Sequence, residues 1–243
     1  MRHLDLFSGI GGFALAARMV GGIETVGFVE IDPFCRKVLA NHWPGVWQHD
    51  DMRTLQPDAL PHADIWTGGF PCQDISIAGR GAGLSGTRSG LFFEIVRLLH
   101  GVRRRPAWLL LENVPCLRTR GYDRVKAEVE RAGYAVTPLV VGAWAVGAPH
   151  KRNRVWIVAH LDAARLPKQQ RQKMQGRRGT GPDRISLPTD WGIGHPSETF
   201  IRRGVHGIPG RVDRIKALGN SIVPQVAAVV MRAMRDVSED EHD

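Results

Sequence analysis

The chain has 243 residues, with 33 Lys+Arg against 24 Asp+Glu and a formal net charge of +9; 43% hydrophobic residues and non-periodic glycines exclude wholesale disorder and a collagen-like chain. Its length suits one ordinary domain, or one domain with a small appendage, and its three cysteines, Cys35, Cys72 and Cys116, with no C-x-x-C pair, argue against a disulfide framework and a structural zinc site. The positive balance favours a polyanionic partner, nucleic acid foremost.

The first residues, Met-Arg-His and an apolar run, superficially resemble a signal peptide, but Asp5 and the clustered glycines argue against that reading. Residues 3–7 instead form a short apolar run ending in Ser8-Gly9-Ile10-Gly11-Gly12, and strong helix formers follow: strand, glycine turn, helix. A β-rich run at 25–29 ends in Glu30-Ile31-Asp32-Pro33, and Pro33 suits the first turn of a helix to about residue 40. Asp50-Asp51 falls near the end of a third strand, and 63–67 is a further one, leading into Gly68-Gly69-Phe70-Pro71-Cys72. Residues 79–90 are too rich in breakers for regular structure and read as a loop able to move. A helix over 91–99, a buried-type strand over 108–111 ending in Glu112-Asn113, and an amphipathic helix over 122–132 come next. Runs at 134–144 and 155–159 complete the strands. No apolar stretch near the C-terminus, 226–231 being the largest, is long enough to span a bilayer.

Strands alternating with helices predict an α/β fold, a Rossmann-like doubly wound and mostly parallel sheet. The marked residues at Gly9, Glu30, Cys72 and Glu112 all fall just after strand ends, the edge at which such sheets bind ligands. The texture changes after His160. Arg165, Lys168, Arg171, Lys173, Arg177 and Arg178 follow with no acid among them, and Gly, Pro and Trp then punctuate the chain to Gly210. This divides the chain into a main domain of 1–160 and 211–243 and a small region of 161–210. A helix is predicted from Val212, a turn at Gly219-Asn220, a closing helix over 224–235 and a frayed acidic end over 238–243.

Gly9-x-Gly11-x-x-Ala14 fits the relaxed dinucleotide fingerprint, with Glu30 placed to bond ribose hydroxyls. That supports an adenosine-containing cofactor and leaves NAD and S-adenosylmethionine both open. Pro71 stiffens the turn that carries Cys72, a thiol that needs local help to act as a nucleophile. Glu112, at the mouth of an apolar strand, is a candidate for a raised pKa and proton donation; a helix N-cap is the alternative. In His150-Lys151-Arg152-Asn153-Arg154, strand alternation puts Arg152 and Arg154 on one face, suited to a phosphate or the acceptor edge of a base. An exposed basic edge strand is the competing reading.

Taken together these residues resemble the cytosine-5 DNA methyltransferase family, over residues 3–160 and 211–235 and in the family's order. Asp5-Leu-Phe-Ser-Gly-Ile-Gly-Gly12 is similar to its cofactor motif and Gly69-Phe-Pro-Cys-Gln73 to its nucleophile motif. Glu112-Asn-Val114 is similar to its acid motif, Arg152-x-Arg154 to its arginine pair, and Gly219-Asn-Ser-Ile-Val-Pro224 to its final cofactor motif. His150 stands where the family usually has Gln, and the recognition region is short.

The resemblance implies the class I S-adenosylmethionine-dependent methyltransferase fold and methyl transfer to C5 of a flipped-out cytosine in duplex DNA. It implies Cys72, Glu112, Arg152 and Arg154 as catalytic residues, Arg154 at the base's O2 edge. For S-adenosyl-L-methionine, with S-adenosyl-L-homocysteine as product and no metal, it implies Phe7, Ser8, Gly9, Gly11, Gly12, Glu30, Ile31, Asp51, Met52, Pro71, Leu91, Asn220, Ser221 and Val223. For DNA it implies Gln73, Ser76 and Arg88, with the basic set Arg165, Lys168, Arg171, Lys173, Arg177 and Arg178. A monomer in the cytoplasm, with no membrane partner, suffices for this chemistry; a cognate restriction endonuclease is left open. A family branch acting on tRNA and an inactive DNA-binding relative are the alternatives. Cys116, in Pro115-Cys116, has the look of an RNA methyltransferase nucleophile but follows the acid motif, where it has no assigned step.

Overall fold

The computed structural model describes residues 1–71, 90–162 and 211–240. Its strands are β1 (Arg2–Leu6), β2 (Glu24–Val29), β3 (Trp47–His49), β4 (Ile65–Gly69), β5 (Trp108–Asn113), β6 (Tyr134–Val141) and β7 (Arg154–Leu161). The helices are α1 (Gly12–Val20), α2 (Pro33–His42), α3 (Leu91–Gly101), the single turn α4 (Leu117–Arg120), α5 (Tyr122–Arg131), α6 (Arg211–Asn220) and α7 (Pro224–Asp240).

The seven strands form one sheet in the order β3-β2-β1-β4-β5-β7-β6. From β1 the chain builds outwards through β2 and β3, then returns to add β4 on β1's other side. That reversal opens a crevice beyond the carboxyl ends of β1 and β4, where such sheets take their ligands. All pairings are parallel except those of β7, which runs antiparallel to both β5 and β6. The linker 142–153 contains only a 3₁₀ turn, Ala143–Val146, and a parallel return would need a longer crossover. The same turn ends β6 at Val141, short of the predicted Trp144.

Both faces of the sheet are covered, so its central strands are apolar on both sides. Leu109 and Leu111 pack with Leu4, Leu6 and Trp66 beneath α3 and α5, whose Phe92, Ile95 and Val125 are buried there. Trp108 and Leu110 point the other way, with Ile65 and Trp156, towards Phe13 and Ala17 of α1 and Val226, Met231 and Met234 of α7. Burying each such side chain contributes about 1.5–3 kcal/mol.

Helix α7 runs to Asp240 rather than fraying at Ser238. Ser238 explains the extension: its hydroxyl accepts from Trp108 Nε1 and donates to the Met234 carbonyl, both at 2.9 Å. Arg235 donates to the carbonyls of Val20 and Gly21, closing the end of α1. The segment Ala217–Glu239 is long and apolar enough, by length and composition only, to cross a bilayer. Its buried Val226, Ala227, Met231 and Met234 are core residues packed with α1. Gly219 and Asn220, expected as a turn, complete the last turn of α6, and the chain breaks at 221–223 instead.

Candidate active site

At the end of β1 the backbone enters the left-handed region at Phe7 (φ 57°), Gly9 (φ 54°) and Gly11 (φ 85°). Two of the glycines are fixed by close approach. A Cβ on Gly11 would lie 2.6 Å from the Trp43 ring, and one on Gly12 would lie 2.6 Å from Ile222 Cγ1. Ser8 ties the turn to the next strand, its amide donating to the Val29 carbonyl at 3.1 Å.

Glu30 grips this turn from β2's end. Its Oε2 accepts from the Gly9 amide at 2.7 Å and its Oε1 from the Asp32 amide at 2.8 Å. Asp32 in turn caps α2, accepting from the Phe34 amide at 2.9 Å, with Pro33 at the first helical position. Ile31 beside it is 61% exposed, a bare apolar face at the crevice rim.

Beyond β3, Asp51 accepts from Nε and Nη2 of Arg53, the latter at 2.6 Å, and from the Arg53 amide at 2.9 Å. The Arg53 bonds hold its carboxyl below the usual range. Met52 is buried, and Arg97 of α3 fixes its carbonyl at 3.1 Å and that of Leu55 at 2.8 Å.

Residues Gly69 of β4 and Glu112 of β5 are register partners. A Cβ on Gly69 would lie 3.2 Å from Glu112 Oε2, so the glycine leaves room for the carboxylate. Asn113 reaches across to the same strand, donating from Nδ2 to the Phe70 carbonyl at 2.9 Å. Phe70 is itself buried, its ring 5.3 Å from that of Phe92. The chain is thus clamped immediately before Pro71, which is exposed.

Glu112 is 8% exposed, and its Oε1 accepts from Arg154 Nε at 2.8 Å. Burial raises its pKa, opposed by the charges of Arg154 and Arg152. The N-cap alternative is not what forms: the following helix α4 has no side-chain cap. The two arginines take different hydrogen-bond partners. Arg152 has φ 30°, which breaks the extended backbone before β7, and its Nη2 donates to the carbonyls of Gly219 (2.8 Å) and Ser221 (2.6 Å). Of the other cofactor candidates, Leu91 and Val223 are half-buried and Asn220 is exposed. His150 and Cys116 are exposed. Cys72, Gln73, Ser76, Arg88, Arg165, Lys168, Arg171, Lys173, Arg177 and Arg178 lie outside the described residues, as do the predicted loop to Ser89 and the region from 163 to 210.

A buried polar cluster lies at the start of the cofactor-like motif, around Asp5. His3, Asp5 and Thr67 are wholly buried. Thr67 Oγ1 donates to Asp5 Oδ1 at 2.9 Å, while His3 bonds Thr67 through Nε2 at 2.8 Å and Thr25 through Nδ1 at 2.9 Å. The Thr67 proton is committed to Asp5, so a neutral His3 carries its own proton on Nε2 and accepts from Thr25 at Nδ1. Burial pushes His3 down to about 3 and Asp5 well above the ordinary carboxylate range. The sequence signals were Asp5 at the head of the cofactor-like motif and a histidine two residues before it in an otherwise apolar strand.

A doubly wound sheet in this order, with a carboxylate-held glycine turn after β1, defines a Rossmann-like fold of the class I methyltransferase type. The family model for C-5 cytosine-specific DNA methylase matches residues 1–186, and the chain belongs to that family. It is 36% identical over 167 residues to the Type II methyltransferase M2.BsuMI of Bacillus subtilis, covering 66% of this chain and 42% of that protein. It is 37% identical over 165 residues to the Type II methyltransferase M.NgoBI of Neisseria gonorrhoeae, covering 66% and 51%. The chain thus spans about half, or less, of these relatives' length. Among solved structures it resembles the S. pombe Dnmt2 methyltransferase, with a TM-score of 0.59 and 25% identity, over 67% of this chain and 51% of that one.

Proposed function

We propose that the protein is a DNA cytosine-5 methyltransferase, using S-adenosylmethionine and a covalent bond from Cys72 to cytosine C6. The observation that carries the reading is the pairing of Gly69 with Glu112. It sets a buried carboxyl of raised pKa, held by Arg154, beside the strand that leads through Pro71 into Cys72. Similarity to Type II methyltransferases supports DNA as the substrate.

The crevice residues fit the cofactor. Glu30 uses its carboxylate oxygens on two amides yet keeps lone pairs for ribose hydroxyls. Exposed Ile31 would offer an apolar face to the adenine, with Asp51 and Met52 on its other side; Phe7, Ser8, Gly9, Gly11 and Gly12 would receive the methionine end. Pro71, Leu91, Asn220, Ser221 and Val223 would complete the walls. When bound, the cofactor supplies an electrophilic methyl group on a sulfonium.

Cytosine C5 is a poor nucleophile. Addition of the Cys72 thiolate to C6, with Glu112 giving its proton to N3, moves the ring electrons into an enamine whose C5 is nucleophilic. That C5 is the atom to which the bound cofactor would supply its methyl group. Loss of the C5 proton to a base drives out the Cys72 thiolate, and the N3 proton returns to Glu112. Arg154 would hold the O2 edge. A stacked duplex hides C6, so the base is flipped out, and Gln73, Ser76 and Arg88 with the basic residues of 165–178 would hold the DNA. Restriction-modification is the setting the relatives suggest.

Transfer of labelled methyl groups to duplex DNA, compared with tRNA, tests the reading. Incorporation into cytosine C5 of DNA, lost in Cys72→Ala, is expected. Incorporation into tRNA alone moves the function to RNA, and incorporation into neither makes the chain a non-catalytic relative.

A further inference from the structure

Arg152 and Phe7 are the two non-glycine residues with positive φ among the described residues. An arginine gains nothing intrinsic from that conformation. What it gains here is reach. Its Nη2 donates to the carbonyls of Gly219 and Ser221, at 2.8 and 2.6 Å, across 67 and 69 residues of sequence. These carbonyls lie at the C-terminal end of α6, where a helix leaves acceptors without intrahelical partners.

The clamped segment touches the other end of the chain. Gly12 lies so close to it that a Cβ there would stand 2.6 Å from Ile222 Cγ1 and 3.2 Å from Ser221 Oγ. One guanidinium therefore pins 219–221 to the entry of β7, and the next residue, Ile222, packs on the first turn of α1. Two residues after Arg152 in the chain, Arg154 holds Glu112. Arg154 bonds the carboxyl, whereas Arg152, whose charge also acts on Glu112, spends its hydrogen bonds on the carbonyls of Gly219 and Ser221.

We propose that Arg152 is a positioning residue for the cofactor pocket, fixing 219–223 against the Ser8–Gly12 turn, and does not grip the target base. The proposal rests on the S-adenosylmethionine reading given above. Its two-hydrogen Nη2 can serve both carbonyls from a planar, pre-organised head, which a lysine ammonium does less well.

The decisive variant is Arg152→Gly, which removes the clamp while suiting φ 30°, so that folding is spared. By calorimetry its Kd for S-adenosylmethionine should rise about tenfold or more, as for loss of a charged hydrogen bond. Its kcat at saturating cofactor should fall by less than its cofactor affinity does, the split expected when binding is the main loss and the charge near Glu112 a lesser one. Hydrogen exchange at 219–223 should quicken, and Arg152→Lys should recover part of the affinity. Unchanged affinity and exchange in Arg152→Gly would overturn the proposal alone, as would a collapse of kcat with normal cofactor binding, which would put Arg152 on the base. A wild-type chain that takes up no S-adenosylmethionine would overturn the cofactor reading beneath it.

Discussion

Glu112 and Arg154 are joined at 2.8 Å, yet the carboxyl's pKa is raised and not lowered. Burial therefore outweighs the ion pair. A carboxylate in water beside an arginine would stay ionised to low pH, but here desolvation of a side chain only 11% exposed is the larger effect. The arginine then orients the acid without committing it to the ionised form, which a proton donor to N3 requires.

Glu112→Gln should lower kcat by about 10²–10⁴, the usual worth of general acid catalysis, with cofactor affinity kept. In the wild type the protonated fraction falls as pH rises through the raised pKa, so kcat should decline on that limb. The glutamine variant, having no proton to lose, should show no such limb in steady-state profiles.

Glu30→Ala removes a carboxylate that accepts from Gly9 and Asp32 at 2.7 and 2.8 Å. Losing a charged hydrogen-bond partner costs about 1.5–3 kcal/mol, so S-adenosylmethionine should bind roughly tenfold or more weakly. Glu30→Gln, which keeps one acceptor oxygen, should fall between. Wild-type affinity for Glu30→Ala by calorimetry would remove Glu30 from the site.

The strand-turn-helix at Ser8–Gly12 and the acid ending β5 were legible because local chemistry dictates them: glycines where φ is positive, and a polar residue closing an apolar strand. What was not legible depended on distant partners. That Arg152 bonds the carbonyls of Gly219 and Ser221 was not readable from local alternation, because those partners lie 67 and 69 residues away. The antiparallel direction of β7 followed from the lack of a crossover helix in 142–153, a stretch that read as strand to Trp144. Ser238 read as a fraying end because its partner, Trp108, is 130 residues away.

The buried pair His3 and Asp5 should write opposite slopes into the stability curve. His3 is depressed to about 3, so its contribution is present above its unfolded pKa of about 6.5 and is lost as pH falls towards 3. Asp5 is raised, so its contribution is present below about 3.9, the unfolded value, and is lost as pH rises through the folded one. Asp5→Asn should therefore gain on wild type as pH increases, and His3→Gln should gain as pH decreases below neutrality. Urea midpoints at several pH values check both; parallel wild-type and variant curves would contradict the assignment.

Cys72 should become covalently attached to cytosine C6, and the adduct should resolve only when the C5 proton leaves. Fluorine at C5 blocks that elimination, since it cannot depart as a cation. A duplex carrying 5-fluorocytosine at the target, incubated with S-adenosylmethionine, should give a complex that survives denaturing electrophoresis. The target itself is found by bisulfite sequencing of DNA from cells expressing the protein. Cys116→Ser should still trap, because its side chain is exposed beyond the clamp that Asn113 makes on Phe70 and has no step to perform. Cys72→Ser should not, a hydroxyl being a far weaker nucleophile at neutral pH. Glu112→Gln should trap slowly, since no proton is supplied to N3 as the thiolate adds. Trapping that persists in Cys72→Ser and vanishes in Cys116→Ser, or that occurs on tRNA and not on duplex DNA, would transfer the chemistry to an RNA methyltransferase.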